Sequence, residues 1–532
     1  MNVRVHLAAV ALLGITACQT AAPTPTAEIL RMSIARDMVS LDPTQIHQPS
    51  VELGLVRNLY NGLYGFDNNL NEVPDLATGM PDVSQDGKTW IFHLRPNANF
   101  GNGDPVTADD VIYSWTRDAQ VQSSDAAVFE PVVGFEDVNS GKQTVLAGLS
   151  APDAKTVVAR LSGPAGFWLV ELGIWPAYVL NRRVLRDHGE QDWWMDPQYL
   201  NASATGPFQL SQWQRTRFLD FKPTPNWWGG ATGTLSDVRA EIVADPVDAL
   251  ARYEHGDLDV IGYSPDVRLP PEIPIDSLHR YGADHTLATQ IYRRPWYETF
   301  WLRLNTRSGP LAGAAAQPAR KALSQAIDRK ALVSAMCDGG LTCDPATGGM
   351  FLPGLQGYLG DNKDPNAVFD PAAARSAIKG WDPDGTKSRG LRIAAFSMYA
   401  TMAQELHGQW MANLGLDIPV DVVAQIPTPR PPIVAGINTA DYDSPWNWYG
   451  GFVNAPTYSS AEFNGLVAGG NAKLPLHALP DYTQAEQVLE NDAPMVPLAY
   501  LVGVFLVKPR VIGAGGNSEF EYYWKGIRIK SD

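Results

Sequence analysis

Cysteine, histidine and basic residues are scarce in this chain of 532 residues. It contains three Cys and nine His, and its 41 Lys and Arg are outnumbered by 57 Asp and Glu, which gives a formal net charge of −16. No run of five or more basic residues occurs. Proteins that bind nucleic acid need clustered Lys and Arg to displace counterions. The composition therefore argues against a nucleic-acid-binding protein.

The residue patterns of several enzyme and metal-protein classes are also missing. The chain has no GxSxG motif, no P-loop, no HExxH motif and no pair of CxxC motifs. The absence of a motif does not exclude an enzyme, but nothing in the sequence indicates one. We therefore expect a protein that is not an enzyme and that has no cofactor and no metal.

The residues that are abundant indicate a folded, loop-rich protein. Hydrophobic residues make up 45% of the chain and charged residues 18%, so a core can form. Sixteen Trp, 47 Gly and 41 Pro fit many loops and aromatic surfaces better than a helical bundle. The length allows two to four domains or one large lobed protein.

The first residues have the features of a secretory signal. Arg4 and His6 precede an apolar run over residues 7–15, which is too short to cross a bilayer as a helix. The sequence "ITAC" that follows resembles a bacterial lipobox, in which Cys18 would carry lipid. A plain signal peptide cut near Ala22 is the alternative.

We assign residues 1–18 to a lipoprotein signal peptide and residues 19–27 to a Pro-rich tether. The expected location is the periplasm or cell envelope, where the lipid anchor would attach the protein to a membrane. In such an oxidising space Cys337 and Cys343, in "CDGGLTC", are expected to form a disulfide, with two free thiols as the alternative.

Strand and helix patterns alternate along much of the chain. For example, the strand pattern "RGLRIAAF" is followed by the helix pattern "AQELHGQWMANLGL" and then by "IPVDVVA". "PARKALSQAIDRKALVSAM" predicts one amphipathic helix, and Thr107 is expected to cap another. Alternation of this kind predicts an α/β fold.

A series of motifs in a fixed order gives the chain a family resemblance. They are "SLDPTQ", the long run from "NLYNGLYGFDNN" to "TADDVIYSWTR", "ATGPFQLSQW", "NWWGG", "YEHGDLDV", "LNTRSGPL", "ARKALSQAIDRKALV" and "VPLAYLVGVFLVKP". The chain thereby resembles the solute-binding proteins of peptide-type ABC transporters, the oligopeptide- and dipeptide-binding family. The motifs extend from about residue 30 to residue 525.

The resemblance implies a two-lobed periplasmic-binding-protein fold with an extra inserted domain and a ligand cleft between the lobes. The implied segments are residues 28–75, 200–285 and 495–532 for lobe one, residues 76–199 for the insert in lobe one, and residues 290–494 for lobe two, the closing lobe. The lobes would close on a ligand about a hinge.

The implied function is capture of short peptides or a peptide-like solute for import by an ABC permease and its ATPase. We expect a monomer. The same fold could instead bind a sugar, an opine or a metal complex. A third hypothesis is a receptor or holdase that is not coupled to transport, and neighbouring permease and ATPase genes would distinguish import from it.

The stretch "ADYDSPWNWYGGF" carries the main candidate site, because many family members have an acid in this part of lobe two that pairs with the ammonium group of a peptide. In one register Asp441 is this anchor and Asp443 lies beside it. In the other, which we prefer, Trp448 takes the place of the family's Trp. The acid's place then falls at Gly450 or Gly451, which makes a free peptide a doubtful ligand.

Other candidates follow from composition or from the resemblance. Trp446, Trp448 and Tyr449 could be aromatic walls of the cleft, with core packing as the alternative. Ser40 and Leu41 lie in an early loop that lines the family's cleft, and Tyr500 lies near the cleft edge. Four arginines could meet a ligand carboxylate, and the sequence does not rank them: Arg293, Arg294, Arg303 and Arg430.

Overall fold

The computed structural model describes residues 28–47, 52–67, 71–123, 125–262, 273–355, 357–440, 444–514 and 523–530. We keep the names lobe one, insert and lobe two for the ranges given above. None of the helices in the described ranges is long and apolar enough to cross a membrane.

Lobe one begins with a strand that is largely buried and continues through a short helix. Its first elements are β1 (Ile29–Ile34), α1 (Leu53–Leu59), β2 (Tyr64–Phe66) and β3 (Glu72–Pro74). Between β1 and α1, the turn "LDPTQ" forms a single 3-10 turn over Pro43–Gln45, in which the Asp42 side chain accepts a hydrogen bond from the Thr44 amide. This Asp-Pro turn is typical of a chain reversal.

The insert has its own small sheet and helices. They are β4 (Asp82–Val83), β5 (Thr89–His93), α2 (Ala108–Ala119), α3 (Phe135–Asn139), β6 (Leu149–Asp153), β7 (Thr156–Arg160), α4 (Trp168–Glu171), α5 (Arg182–His188) and α6 (Pro197–Ser203). The four strands form a sheet in the order β4-β5-β7-β6. Buried rings of Trp90, Trp115 and Trp168 meet edge to face beneath it, with centroids 5.4 and 5.7 Å apart.

The predicted cap of α2 is present. The Thr107 amide donates a hydrogen bond to Oδ2 of Asp110 across 2.9 Å, which closes a capping box at the start of the helix. Asp109 and Asp110 occupy the first turn, where the helix dipole favours acids. A local pattern of four residues therefore determines where this helix begins.

The chain then returns to lobe one and crosses into lobe two. The elements are β8 (Phe208–Gln214), β9 (Phe218–Pro223), β10 (Asp237–Ile242), α7 (Pro246–His255), β11 (Val260–Ile261) and α8 (Ile275–Ala283), followed by β12 (Ile291–Leu304), α9 (Gln317–Gln325), α10 (Arg329–Met336), β13 (Cys343–Pro345), α11 (Pro371–Trp381), β14 (Ile393–Ala395), α12 (Ala400–Leu414), β15 (Val420–Val422), β16 (Ile433–Thr439), α13 (Pro445–Tyr449), α14 (Ala461–Asn471), α15 (Pro475–Asp492), β17 (Met495–Val507), β18 (Val511–Ile512) and β19 (Arg528–Ile529).

One mixed sheet connects the two lobes. Its strand order is β15-β14-β16-β12-β17-β11-β1-β10-β9-β8, and β13 pairs with β17 at the side. The long antiparallel pair β12 and β17 reaches from the lobe-one strand β11 to the lobe-two strand β16. The pairing of β12 and β17 shifts register between Pro295 and Thr299 and again between Phe300 and Trp301, so the ladder is interrupted at two places.

The predicted α/β class is confirmed, but one predicted helix is two helices. The pattern "PARKALSQAIDRKALVSAM" forms α9 and α10 with a break between Gln325 and Arg329. The side chain of Asp328 accepts hydrogen bonds from the amides of Lys330 and Ala331, both at 3.0 Å. Asp at this position caps a new helix rather than continuing the old one, because its carboxylate satisfies amides at the helix start.

Candidate functional site

An open cavity of about 510 Å³ lies between the insert and lobe two. The acidic residues of its lining and the rings of Phe167 and Trp175 come from the insert, and Trp446 and other residues on α13 and just after it form the opposite wall. The lining residues that matter below are Asp125, Glu130, Phe167, Glu171 and Trp175 from the insert, and Trp446, Asn447, Gly450 and Gly451 from lobe two. Ligand sites in proteins are usually concave, largely apolar and supplied with a few polar groups.

Trp446 is the predicted site residue that lines this cavity. It is half-buried on α13, where Pro445 occupies the first turn and the Trp446 amide donates a 3.3 Å hydrogen bond to Oγ of Ser444. Its indole packs against Phe167 of the insert, with ring centroids 5.3 Å apart. The two rings therefore join the two walls of the cavity.

A backbone contact beside these rings brings the insert and lobe two together. The Gly166 amide donates a hydrogen bond to the carbonyl of Asn471 across 2.6 Å. A Cβ atom on Gly166 would stand 1.6 Å from the carbonyl oxygen of Lys473, so only glycine permits this approach. The position of the Phe167 ring relative to Trp446 depends on that contact.

The polar part of the lining is acidic. Asp125, Glu130 and Glu171 contribute carboxyl groups, and the described lining residues include no Lys or Arg. Asp125 is held by His47, whose Nδ1 lies 2.5 Å from Oδ2 of the carboxylate. These groups can accept hydrogen bonds from amide, ammonium or hydroxyl groups of a ligand.

Trp448 and Tyr449, predicted as cleft walls, lie in the interior of lobe two. Their exposed fractions are 1% and 0%, and both rings pack edge-on against Phe351. The Tyr449 hydroxyl donates a hydrogen bond to Oε2 of Glu486 at 3.0 Å. Core packing, the alternative given above, describes these two residues, because neighbouring positions of a one-turn helix point in different directions.

Tyr500 is also buried, on β17. Its hydroxyl donates to the carbonyl of Gly349 at 2.7 Å and accepts from the amide of Gly348 at 3.2 Å. The phenol thus fixes the loop after β13 against the sheet. Its contacts are those of a structural tyrosine, and it does not line the cavity.

Ser40 and Leu41 are buried in lobe one. The Ser40 hydroxyl accepts a 3.0 Å hydrogen bond from the Asp42 amide, and the Leu41 carbonyl accepts one from the hydroxyl of Tyr60, also at 3.0 Å. Neither residue lines the cavity between the insert and lobe two. The Ser40 hydroxyl and the Leu41 carbonyl are therefore engaged within lobe one.

Several predicted residues lie outside the described ranges. They are Asp441 and Asp443, the candidate ammonium anchor and its neighbour, and Cys18, the candidate lipidation site. The second register, in which the acid's place falls at Gly450 or Gly451, can be placed, because both glycines line the cavity. They present no carboxylate to it.

A buried carboxyl group, that of Glu298, lies beside the last residue of β16, Thr439, which is two positions before Asp441 in the sequence. Glu298 on β12 is opposite Thr439, whose hydroxyl donates a 2.9 Å hydrogen bond to Oε1 of Glu298. Burial raises the pKa of Glu298 to about 7. The group therefore changes charge near neutral pH on an interior strand of the large sheet.

Sequence reasoning missed the insert side of the cavity. Phe167, Glu171 and Trp175 lie in "GFWLVELGIW", a stretch to which no ligand role was assigned. The sequence signal that could have indicated these lining residues was the presence of several aromatic residues and one acid, Glu171, within ten positions. The pattern resembles a buried helix equally well, so only the contact with Trp446 distinguishes it.

Cys337 and Cys343 form a disulfide with an S–S distance of 2.12 Å, between α10 and β13. It lies in a small hydrophobic cluster with Val333 and Ala499. Within the described ranges, no group of three or more His, Cys, Asp or Glu side chains could hold a metal ion.

Known proteins resemble this chain over most of its length. The family model "Bacterial extracellular solute-binding proteins, family 5 Middle" matches residues 71–465. The periplasmic oligopeptide-binding protein OppA of Escherichia coli strain K12 is 24% identical over 510 residues, which cover 91% of this chain and 89% of that protein.

Solved structures share the fold. The unliganded open form of the periplasmic murein tripeptide binding protein MppA has a TM-score of 0.83 at 22% identity, over 95% of this chain and 98% of that one. OppA of Haemophilus influenzae in complex with RPPGFSPFR has a TM-score of 0.65 at 21% identity, over 95% and 99% of the two chains. These likenesses confirm the predicted two-lobed α/β fold.

Proposed function

Because the chain belongs to the bacterial extracellular solute-binding proteins of family 5, as its motifs predicted, we propose that it captures a small solute between its lobes and delivers it to an ABC permease. The solute is a short peptide or a peptide-like compound. Binding proteins of this kind close about a hinge on their ligand. No chemical change of the solute is needed.

The observation that carries this proposal is the cavity between the insert and lobe two. Residues from separate parts of the chain line it, and the rings of Trp446 and Phe167 pack against each other with centroids 5.3 Å apart. Aromatic rings supply a large contact area at low conformational cost. The acidic groups of the insert supply hydrogen-bond acceptors for the backbone amides or ammonium group of a peptide.

The relative position of the lobes supports a protein that can close. The TM-score is 0.83 with the unliganded open form of MppA and 0.65 with the OppA complex. The register shift in β12 and β17 lies between the lobes, where a few residues could absorb a change in backbone angles. Closure would narrow the cavity and expel water from it.

The expected location is the periplasm, and the names of the relatives support it. OppA of Escherichia coli is called a periplasmic protein. We further propose that Cys18 carries lipid and that the body of the protein is tethered to a membrane. Electrophoretic mobility shift on metabolic labelling with an alkyne fatty acid would test the anchor, with Cys18→Ala as the unlabelled control.

Native mass spectrometry of the mature protein tests the proposed function. The protein is measured as purified and again after incubation with a defined mixture of tri- to pentapeptides. Retention of short peptides supports the proposal. The Trp446→Ala variant should retain these peptides less strongly. Trp228→Ala removes another half-buried indole away from the cavity and is the matched control.

Two other outcomes of this measurement would favour the alternative functions. Release of a single non-peptide compound on denaturation would favour the same fold with a sugar, an opine or a metal complex as ligand. Retention of peptides without solute uptake by cells that carry the neighbouring transporter genes would favour a receptor or holdase. Retention of nothing would contradict the proposal.

A further inference from the structure

A second cavity, of about 210 Å³, lies at the junction of lobe one and the insert. Its charged and amide-bearing lining residues are Arg57, Asn61, Asp75 and Lys525. Aromatic rings from both parts of the protein surround these groups: Tyr60, Tyr64, Phe66, Tyr178, Trp227 and Tyr523. Cavities for drug-sized ligands measure about 300–1,000 Å³, so this one suits a smaller molecule.

This smaller cavity is separate from the cavity between the insert and lobe two, because the two share no lining residue. The turn after α4 contributes to both: Gly173 lines the smaller cavity, whereas Glu171 and Trp175 line the larger one. None of the described residues that line the smaller cavity belongs to lobe two. A ligand bound there would therefore be held by lobe one and the insert alone.

The negative charge of the smaller cavity comes from Asp75, the residue after β3. Its Oδ2 accepts a 2.6 Å hydrogen bond from Nδ2 of Asn61. Gly65, on β2, also lines the cavity, and a Cβ atom there would lie 3.9 Å from the same oxygen, so glycine leaves this side of the carboxylate uncovered. Burial raises the pKa of Asp75 to about 6, against the opposing effect of Asn61 and nearby cations. The carboxyl group is therefore mostly ionised at neutral pH.

An unused hydrogen-bond acceptor lies beside this carboxylate. Asn61 is only 3% exposed, and its Oδ1 accepts no hydrogen bond from any described residue. Because Nδ2 of the same amide is held by Asp75, the amide cannot turn around without losing that bond. Buried acceptors are nearly always satisfied in folded proteins. A ligand with an N–H group in the cavity would supply the missing donor.

The positive charges of the smaller cavity come from Lys525 and Arg57. The exposed Lys525 ammonium group lies 4.8 Å from the ring centroid of Trp227 and makes no ion pair with any described residue. Arg57 donates a 2.9 Å hydrogen bond to the carbonyl of Phe66. Lys525 and Asp75 thus line one cavity without forming an ion pair with each other. Opposite charges that remain apart in one cavity suit a ligand that carries both signs.

We propose that this cavity binds a small zwitterion, a free amino acid, whose ammonium group donates to Asp75 and to Oδ1 of Asn61 and whose carboxylate accepts from Lys525. Both contacts to charged groups are charge-assisted hydrogen bonds, which are stronger than neutral ones. The surrounding rings favour the ammonium group through cation–π attraction. This site goes beyond the proposed function and does not depend on it.

Isothermal titration calorimetry of the mature protein with glycine and with L-alanine tests the proposal. Methylammonium and acetate, which each carry only one of the two charges, are the matched probes. We expect the amino acids to bind roughly tenfold more tightly than either probe, because only they engage both charged groups. The absence of binding by both amino acids would overturn the proposal, and so would equal binding of methylammonium or acetate.

Variants of the two charged residues attribute the binding to this cavity. Lys525→Gln and Asp75→Asn should each weaken the binding of L-alanine roughly tenfold, since each removes one charge-assisted hydrogen bond. Lys530→Gln removes an exposed charge from the same C-terminal segment, outside the cavity, and should leave binding unchanged. Circular dichroism shows whether each variant is folded. If Asp75→Asn does not fold, Lys525→Gln decides, because the Lys525 side chain is exposed. Unchanged binding in Lys525→Gln would overturn the proposal.

The outcomes also separate this site from the cavity between the insert and lobe two. Trp446→Ala alters the larger cavity and should not change the affinity for L-alanine. A loss of L-alanine binding in this variant would place the amino acid in the larger cavity and overturn the proposal. Peptide retention without amino-acid binding would overturn this proposal and leave the proposed function standing, whereas amino-acid binding without peptide retention would do the reverse.

Discussion

The hydroxyl of Tyr449 donates a hydrogen bond to Oε2 of Glu486 across 3.0 Å in the interior of lobe two. Burial raises the pKa of Glu486 to about 8, and the neighbouring Glu490 contributes to the shift. The pKa of Glu490 is itself raised to about 7, by burial and by Asp364. The helix α15 thus carries two carboxyl groups that hold protons unusually tightly.

We therefore expect the protein to lose stability as the pH rises. A carboxyl group with a raised pKa binds its proton more tightly in the folded than in the unfolded chain. For Glu486 the free energy of unfolding should fall between pH 4.5, its ordinary pKa, and about pH 8, and then level off. Urea unfolding at intervals across this range measures the slope.

The variant Glu486→Gln should flatten that slope, because it removes the titrating group and keeps an acceptor for Tyr449. Glu462→Gln, on the exposed side of α14, is the control and should leave the slope unchanged. An unaltered slope in Glu486→Gln would show that other groups dominate the pH dependence.

The two neighbouring indoles of α13 should respond differently to truncation. Trp448→Ala removes a fully buried ring and should lower the free energy of unfolding by about 3–5 kcal/mol. Trp446→Ala should cost less stability because its ring is half-buried, but it should weaken solute binding. Urea unfolding and native mass spectrometry give the two quantities. Equal stability losses would contradict this assignment.

The buried ion pair that connects lobe one to the insert should be important for stability. Arg117 on α2 lies 2.6 Å from Oδ2 of Asp42, and the indole N–H of Trp193 donates to the same oxygen at 3.2 Å. Asp42→Asn leaves the buried guanidinium with Glu190, a half-exposed carboxylate 3.5 Å from its Nε, as its remaining counter-charge. The expected loss is about 3–5 kcal/mol in the free energy of unfolding.

A more exposed pair, between α2 and α5, provides the comparison. Arg182 approaches Asp109 at 2.7 Å, with both side chains partly exposed. Asp109→Asn should cost at most about 1 kcal/mol, since water screens such pairs. Urea unfolding of the two variants under identical conditions measures the difference, and similar losses would count against the role of burial.

Local sequence patterns predicted the fold well where the determining contacts are local. The capping box of Thr107 and Asp110 involves residues three apart, so its position is readable from the sequence. The break between α9 and α10 is equally local, but the apolar period across Asp328 concealed it. The order of motifs gave the family and therefore the two lobes.

The candidate site was less predictable because it forms between distant segments. Trp446 faces Phe167, and neither residue's neighbours in sequence indicate the other. Composition could not separate Trp446 from Trp448, although one lines the cavity and the other is buried.

The close approach of Gly166 to Lys473 should determine the width of the cavity. A Cβ atom on Gly166 would stand 1.6 Å from the Lys473 carbonyl oxygen, so Gly166→Ala must push the insert and lobe two apart. We expect weaker solute retention, because the Phe167 ring would move away from Trp446. The free energy of unfolding should also fall, since the contact lies beside a hydrophobic cluster that includes residues of both the insert and lobe two.

Gly163→Ala is the matched control for this prediction, since Gly163 lies in the same loop and a Cβ atom there would meet nothing within 4 Å. Small-angle X-ray scattering measures the separation of the lobes, and native mass spectrometry measures retention. Gly166→Ala should increase the radius of gyration of the solute-free protein relative to Gly163→Ala. If the two variants scatter and bind alike, the approach of Gly166 to Lys473 does not determine the width of the cavity.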